Sequence, residues 1–166
     1  LQPWKFLVIE NVDVREKLVA ASWNQEQVKD ASHLLVLCSP RELNESFIDD
    51  FIQDTAKTRG QDVSDFDGFK KMLMMIPNKS VEDQLAWSKN QIYLALGNLL
   101  TVCAQLKIDG CPMEGFKPKE YDEILELEKL GLTSVVVCPI GYRHADDKYS
   151  KLKKIRYPLE DLVIKI

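Results

Sequence analysis

Hydrophobic and polar positions alternate in blocks along this chain, and the blocks have two lengths. Short, mostly apolar runs of six to ten residues, "KFLVIE", "HLLVLCS" and "TSVVVCPIGY", have strand length and carry β-branched residues. Between them the apolar positions recur every three or four residues, the helical period. "DVREKLVAAS" predicts a helix with Asp13 as N-cap and Glu16 closing a capping box. "WNQEQVKDAS" predicts a short polar helix. "NESFIDDFIQDTAKT" places Phe47, Ile48, Phe51 and Ile52 on one face behind Asn44 as cap. "RGQDVSDFDG" predicts a loop, and "FKKMLMMIPN" a short helix stopped by Pro77.

The longest block starts at Ser80 and runs uninterrupted to about Ile108. From Ile92 to Leu106 it is apolar nearly all round, which predicts a central buried helix. A membrane span needs about 20 such residues, and Asn98 and Gln105 interrupt this stretch. Gly97 inside it predicts a close contact with a neighbouring element, at a propensity cost of about 1 kcal/mol. "KPKEYDEILELEKLG" predicts a helix with Pro118 in its first turn and Gly131 beyond its end, and the terminal "LEDLVIKI" has strand character. These elements predict one α+β domain over residues 1–166, a sheet flanked by helices, without repeats or an internal linker.

Composition narrows the function classes. The chain has 166 residues, 45% hydrophobic and 29% charged, with a net charge of −4. That is globular composition whose overall field does not attract nucleic acid or an anionic membrane. The four cysteines, Cys38, Cys103, Cys111 and Cys138, form no CxxC pair, and His33 and His144 have no spaced partner ligand. Reduced thiols in a cytoplasmic protein and no metal site are the expectation. The chain opens without methionine directly into a strand, as if it began mid-domain.

Four stretches could carry chemistry. Lys154 and Arg156 alternate as i and i+2 in a basic segment, so an extended chain would point both at one phosphate, although a solvated loop has the same composition. Asn24 and Gln27 are three apart, and in a helix both amides would share a face and could meet the edge of a heterocycle; the alternative is that both simply face water near a helix start. Gln91 lies where the long helix turns apolar, as a core amide or a ligand contact. "GCPMEGF", residues 110–116, combines a proline that lacks an N–H with a glycine that permits close backbone approach. It suits main-chain contact with something planar or anionic, or simply a strand-to-helix turn.

Taken together, "QPWKF" at 2–6, "DASH" at 30–33, "PMEGF" at 112–116 and "KIRYP" at 154–158 resemble the FMN-dependent nitroreductase family, over the whole chain from Gln2 onward. The similarity is greatest to its oxygen-insensitive bacterial branch. This resemblance implies a mixed central sheet flanked by helices and a homodimer with the flavin at its interface. The C-terminal strand would be exchanged between subunits, with "LEDLVIKI" as the arm. It implies FMN as cofactor, NADH or NADPH as reductant, and ping-pong reduction of small-molecule acceptors such as nitroaromatics and quinones, with no catalytic side chain.

By the same resemblance, the backbone of Pro112, Met113, Glu114 and Gly115 would lie along the isoalloxazine ring. The Glu114 amide would point at the reactive flavin nitrogen and the Gly115 amide at a neighbouring carbonyl. Asn24 would bond the pyrimidine edge, Gln91 would lie near the ring and ribityl chain, and Lys154 and Arg156 would hold the phosphate. Met72 and Leu73 fall where the acceptor pocket is shaped. Many relatives carry lysine where this chain has Gln27, which would donate a hydrogen bond without a charge and lower the midpoint potential. The family's N-terminal helix, with its phosphate-binding Arg-x-Ser motif, would lie before Leu1. Two other readings are reductive dehalogenation or flavin fragmentation on the same fold, and a truncated, non-catalytic dimerisation or binding module.

Overall fold

The structure is a computed structural model that describes residues 1–166. Its centre is a four-stranded sheet in the order β1-β2-β4-β3, with β1 Lys5–Ile9, β2 His33–Pro40, β3 Asp109–Gly110 and β4 Leu132–Gly141. All three pairings are antiparallel, so the mixed sheet expected from the resemblance is not made within one chain. β2 and β4 are the middle strands, covered on both faces, which is why both read as continuous apolar runs. Their register shifts once: Leu37 faces Val136 while Cys38 faces Ser134, so Val135 is an extra residue that bends β4.

Period-two alternation sends β2 into two cores. Leu34, Val36 and Cys38 meet α1 (Val12–Ala21), α2 (Gln27–Asp30) and α6 (Pro118–Ile124) through Leu18, Val28 and Tyr121, with Phe116 from the segment ahead of α6. Leu37, with Val136 and Cys138 of β4, meets α5 (Val81–Gln105) through Ile92 and Leu96. A third cluster joins α3 (Glu45–Arg59) to α4 (Asp67–Leu73) around Ile48, Ile52, Ala56 and Phe66. Asp122 of α6 ties the start of β4 to that helix. Its carboxylate accepts from Ser134 N–H at 2.8 Å, Ser134 Oγ at 2.7 Å and Thr133 Oγ1 at 2.7 Å, and pairs with Arg41.

Several expectations change. β1, an apolar run in the sequence, is an edge strand whose outer side chains Phe6 and Val8 are exposed. The cap of α1 is Asn11, whose side chain accepts from Val14 N–H, so the helix starts before Asp13. Residues 63–66 form a 3-10 turn that runs into α4, and α4 ends at Leu73, four residues ahead of Pro77. The helix expected to end just before Gly131 stops at Ile124: Glu126 turns left-handed at φ 52°, and a 3-10 turn, Leu127–Leu130, leads to left-handed Gly131. Asn44 and Ser80 do cap α3 and α5.

α5 is not buried all round. Gln84, Ser88, Ile92, Leu96 and Cys103 form its buried stripe, while Leu94 and Val102 on other faces, and Leu106 just past its end, are exposed. Gly97 has nothing within 4 Å of a would-be Cβ, so no element of this chain makes the close contact expected there. The terminal "LEDLVIKI" is one helical turn, α7 Leu159–Leu162, followed by four residues in no sheet. Every residue from 148 to 166 is exposed, and within one chain this segment pairs with neither edge of the sheet.

Candidate functional site

The site is built around the segment after β3. Cys111 N–H donates to Pro139 C=O at 3.0 Å, and Met113 and Val137 exchange two backbone hydrogen bonds, at 2.8 and 3.2 Å. The Met113 side chain is buried in the core beside Val137. Phe116 N–H donates to Glu114 C=O at 2.9 Å, and Lys117 N–H to Ala21 C=O at 2.8 Å. Pro112 has no N–H. What remains is two consecutive backbone donors, Glu114 and Gly115, that have no acceptor in the chain.

Their directions are nonetheless fixed. In a trans peptide the C=O and N–H point opposite ways. The Glu114 N–H shares its peptide with the Met113 carbonyl, which is held by Val137 N–H, so the donor points away from β4. The Gly115 N–H shares its peptide with the Glu114 carbonyl, which is held by Phe116 N–H. Glu114 is exposed and Gly115 half-buried, so the pair is reached from outside. Unpaired backbone donors are uncommon in folded proteins, and two in succession on an anchored segment form a preset hydrogen-bonding edge.

The segment is flanked by the turn between α1 and α2. Trp23 and Asn24 both adopt left-handed backbone, φ 55° and 60°; asparagine tolerates this far better than tryptophan. Asn24 N–H closes the turn on Val19 C=O at 3.0 Å. Asn24 therefore precedes α2, which starts at Gln27, and the shared helical face expected for these two residues does not exist. Gln25, between them, is the residue the sequence concealed. Its Nε2 donates to Ser22 C=O at 3.1 Å and to Gly115 C=O at 2.9 Å. Gln27 Nε2 in turn donates to Gln25 Oε1 at 3.1 Å and lies 3.6 Å from Met113 Sδ. The expected outward donor at Gln27 is thus engaged inside the protein.

α5 supplies the other wall. Gln91 is half-buried and its amide has no hydrogen-bond partner within the chain. Tyr93, also unmarked in the sequence, gives its hydroxyl to the Glu114 carboxylate. Burial, and then that carboxylate, push the Tyr93 hydroxyl up to about 12. No spacing rule could pair Tyr93 with Glu114, because β3 and its turn come between them.

The remaining candidates lie apart from this cluster. Lys154 and Arg156 are exposed in a stretch without secondary structure, where Arg156 bonds the Ile155 carbonyl. Lys154 does lie within electrostatic reach of Asp109, at the head of the segment. Arg143, bonded to that carboxyl, holds it below its usual range, and the Lys154 charge adds to the effect. Leu73 packs into the α3–α4 cluster, whereas Met72 beside it is exposed.

The sequence model of the nitroreductase family matches residues 1–142. The chain belongs to the nitroreductase family. A Staphylococcus haemolyticus protein, SH0546, provisionally named an NAD(P)H nitroreductase, is 32% identical over 174 residues, covering 98% of this chain and 77% of its own length. YfkO of Bacillus subtilis, named in the same provisional way, is 33% identical with the same coverage. Solved structures share the fold at lower identity. A nitroreductase assigned as ydfN of Bacillus subtilis superposes with a TM-score of 0.85 at 19% identity, over 99% of this chain and 78% of that one. A nitroreductase of Exiguobacterium sibiricum, provisionally so named and solved in complex with FMN, gives 0.78 at 22% identity, over 99% of this chain and 77% of that one. The family match contains Asn24, Gln27, Gln91 and the Glu114–Gly115 edge, and stops short of Lys154 and Arg156.

Proposed function

We propose that this nitroreductase-family chain is an NAD(P)H-dependent flavin oxidoreductase that holds FMN against the Glu114–Gly115 edge. The observation that carries this reading is the pair of anchored, acceptor-less amides. A flat heterocycle with adjacent nitrogen and carbonyl acceptors satisfies two neighbouring main-chain donors, and a phosphate tail suits the cations downstream. The Pro112–Gly115 main chain would lie along the ring, with Asn24 and Gln27 at its pyrimidine edge and Gln91, whose amide is unpaired, beside it. Lys154 and Arg156 would take the phosphate. FMN held there would supply the redox chemistry, hydride transfer from NADH or NADPH and reduction of a nitroaromatic, quinone or similar acceptor.

The chain's own contribution is binding and orientation, and no side chain here is assigned a proton-transfer role. Reductant and acceptor would use one face in turn, a ping-pong sequence, with exposed Met72 near the acceptor. A homodimer is part of the reading. Its support is the apolar surface left on α5 by Leu94, Val102 and Leu106 and on β1 by Phe6 and Val8, together with the exposed apolar residues of the tail, such as Ile155 and Ile164. The tail would then make on a partner the strand pairing it does not make here.

The test is the visible spectrum of protein purified with added FMN, followed anaerobically. A yellow protein with one flavin per chain, bleached by NADH or NADPH and recoloured by a quinone, is the expected result. A protein that is colourless once free flavin is removed after incubation with excess FMN overturns the reading and favours a non-catalytic binding module.

A further inference from the structure

Two carbonyl oxygens, Ser22 and Gly115, both face the Gln25 side-chain nitrogen, at 3.1 and 2.9 Å. A carbonyl only accepts, so the Gln25 amide has one workable orientation, with its NH2 toward both. That leaves Gln25 Oε1, another pure acceptor, facing Gln27 at 3.1 Å. Gln27 must answer with its own NH2, whose second hydrogen is directed to the weakly accepting sulfur of Met113. Both hydrogens are then engaged, and the only polar atom Gln27 has left to offer is Oε1. The relay begins at the Gly115 carbonyl, on the same segment that bears the free amides, and ends on the sulfur of Met113, so it is built onto that segment at both ends.

We infer that the Ser22/Gly115–Gln25–Gln27 relay makes Gln27 an acceptor-presenting residue, which selects a ligand carrying an N–H at that edge. This rests on the flavin reading above. Oxidised isoalloxazine has a single ring N–H, at N3, flanked by two carbonyls, and N3–H is the group assigned to Gln27 Oε1. Gln25 is a positioning residue: it does not touch the ring but decides which end of the Gln27 amide faces outward. The result reverses the donor role that residue type alone suggests for Gln27. A site that hydrogen-bonds a polar group discriminates against an analogue lacking it, because the buried partner is left unpaired.

The experiment is a cycle between protein and ligand. Dissociation constants for FMN and for 3-methyl-FMN are measured by flavin fluorescence on the full chain and on Gln27→Met and Gln25→Met. The steric cost of the methyl group cancels between proteins. The selectivity ratio is expected to be about three- to tenfold larger in the parent than in Gln27→Met, the size of one neutral hydrogen bond. Gln25→Met frees the Gln27 amide to turn over and should collapse the ratio in the same way although Gln27 is intact. Equal ratios in all three proteins, with FMN bound tightly, overturn the inference and leave the flavin reading standing. So does a ratio lost only in Gln27→Met, because the relay then sets nothing. A parent chain that binds neither flavin overturns both.

Discussion

The indole of Trp23 lies so close over Gly115 that a Cβ on Gly115 would sit 3.1 Å from Trp23 Cζ3 and 3.0 Å from Gln25 Nε2. Gly115 has no positive φ, so its need for glycine is one of space, and the space is filled by the turn that orders the site. Gly115→Ala is therefore expected to fold with a loss of about 1 to 2 kcal/mol, within the range for overpacking. Displacing Gln25 should disturb the Gly115 carbonyl and weaken FMN binding by about tenfold, roughly one such hydrogen bond with its orientation. Thermal unfolding and a flavin titration on the same preparation check both halves.

Tyr93 carries a pH signature. Its hydroxyl is pushed from 10.0 to about 12 by burial first and by Glu114 second. Above pH 10 the unfolded chain loses that proton while the folded chain keeps it, so stability falls as pH rises from about 10 to 12. Tyr93→Phe should make the decline shallower over that window and remove one late-titrating phenol from the ultraviolet absorbance titration. A parent and variant with identical slopes between those pH values would show that the Tyr93–Glu114 contact does not persist in solution.

Lys154 and Arg156 lie in an exposed segment, so replacing both by alanine should leave the melting temperature nearly unchanged. If they hold the phosphate, FMN affinity should drop by about 10- to 100-fold, as expected for losing charge-assisted hydrogen bonds. Riboflavin, which lacks the phosphate, should bind the double variant and the parent alike. An equal loss for both ligands would mean that the segment acts by folding over the ring and not by its charges.

How far the sequence could be read depended on how local each cause was. β2 and β4 announce themselves because burial on both faces leaves no polar interruptions in "LLVLC" and "SVVVC". Asn44 and Ser80 bond backbone three residues away, so their caps are legible. Asn11 and Asp13 compete for one cap, and only packing decides between them. The apolar back of α5 reads as core although half of it is exposed in one chain, since hydropathy does not say which molecule covers a surface. "LEDLVIKI" alternates like a strand but pairs with neither edge of its own chain's sheet, and Leu159–Leu162 falls into a helical turn. "PMEGF" was visible by its odd composition, but Gln25 and Tyr93 were not, because their partners Gly115 and Glu114 are distant in sequence and a surface glutamine or tyrosine is unremarked.

The central claim, that the Glu114 and Gly115 amides are preset donors for a flavin, is tested most directly by residue-resolved hydrogen exchange with and without FMN. Without flavin, the amides of Met113, Phe116 and Lys117 should be protected while those of Glu114 and Gly115 exchange fast, because only the first three have acceptors in the chain. Saturating FMN should slow Glu114 and Gly115 by at least about tenfold, as expected when an exposed amide gains a stable partner. Bound FMN that leaves those two amides exchanging at their original rate would contradict the account.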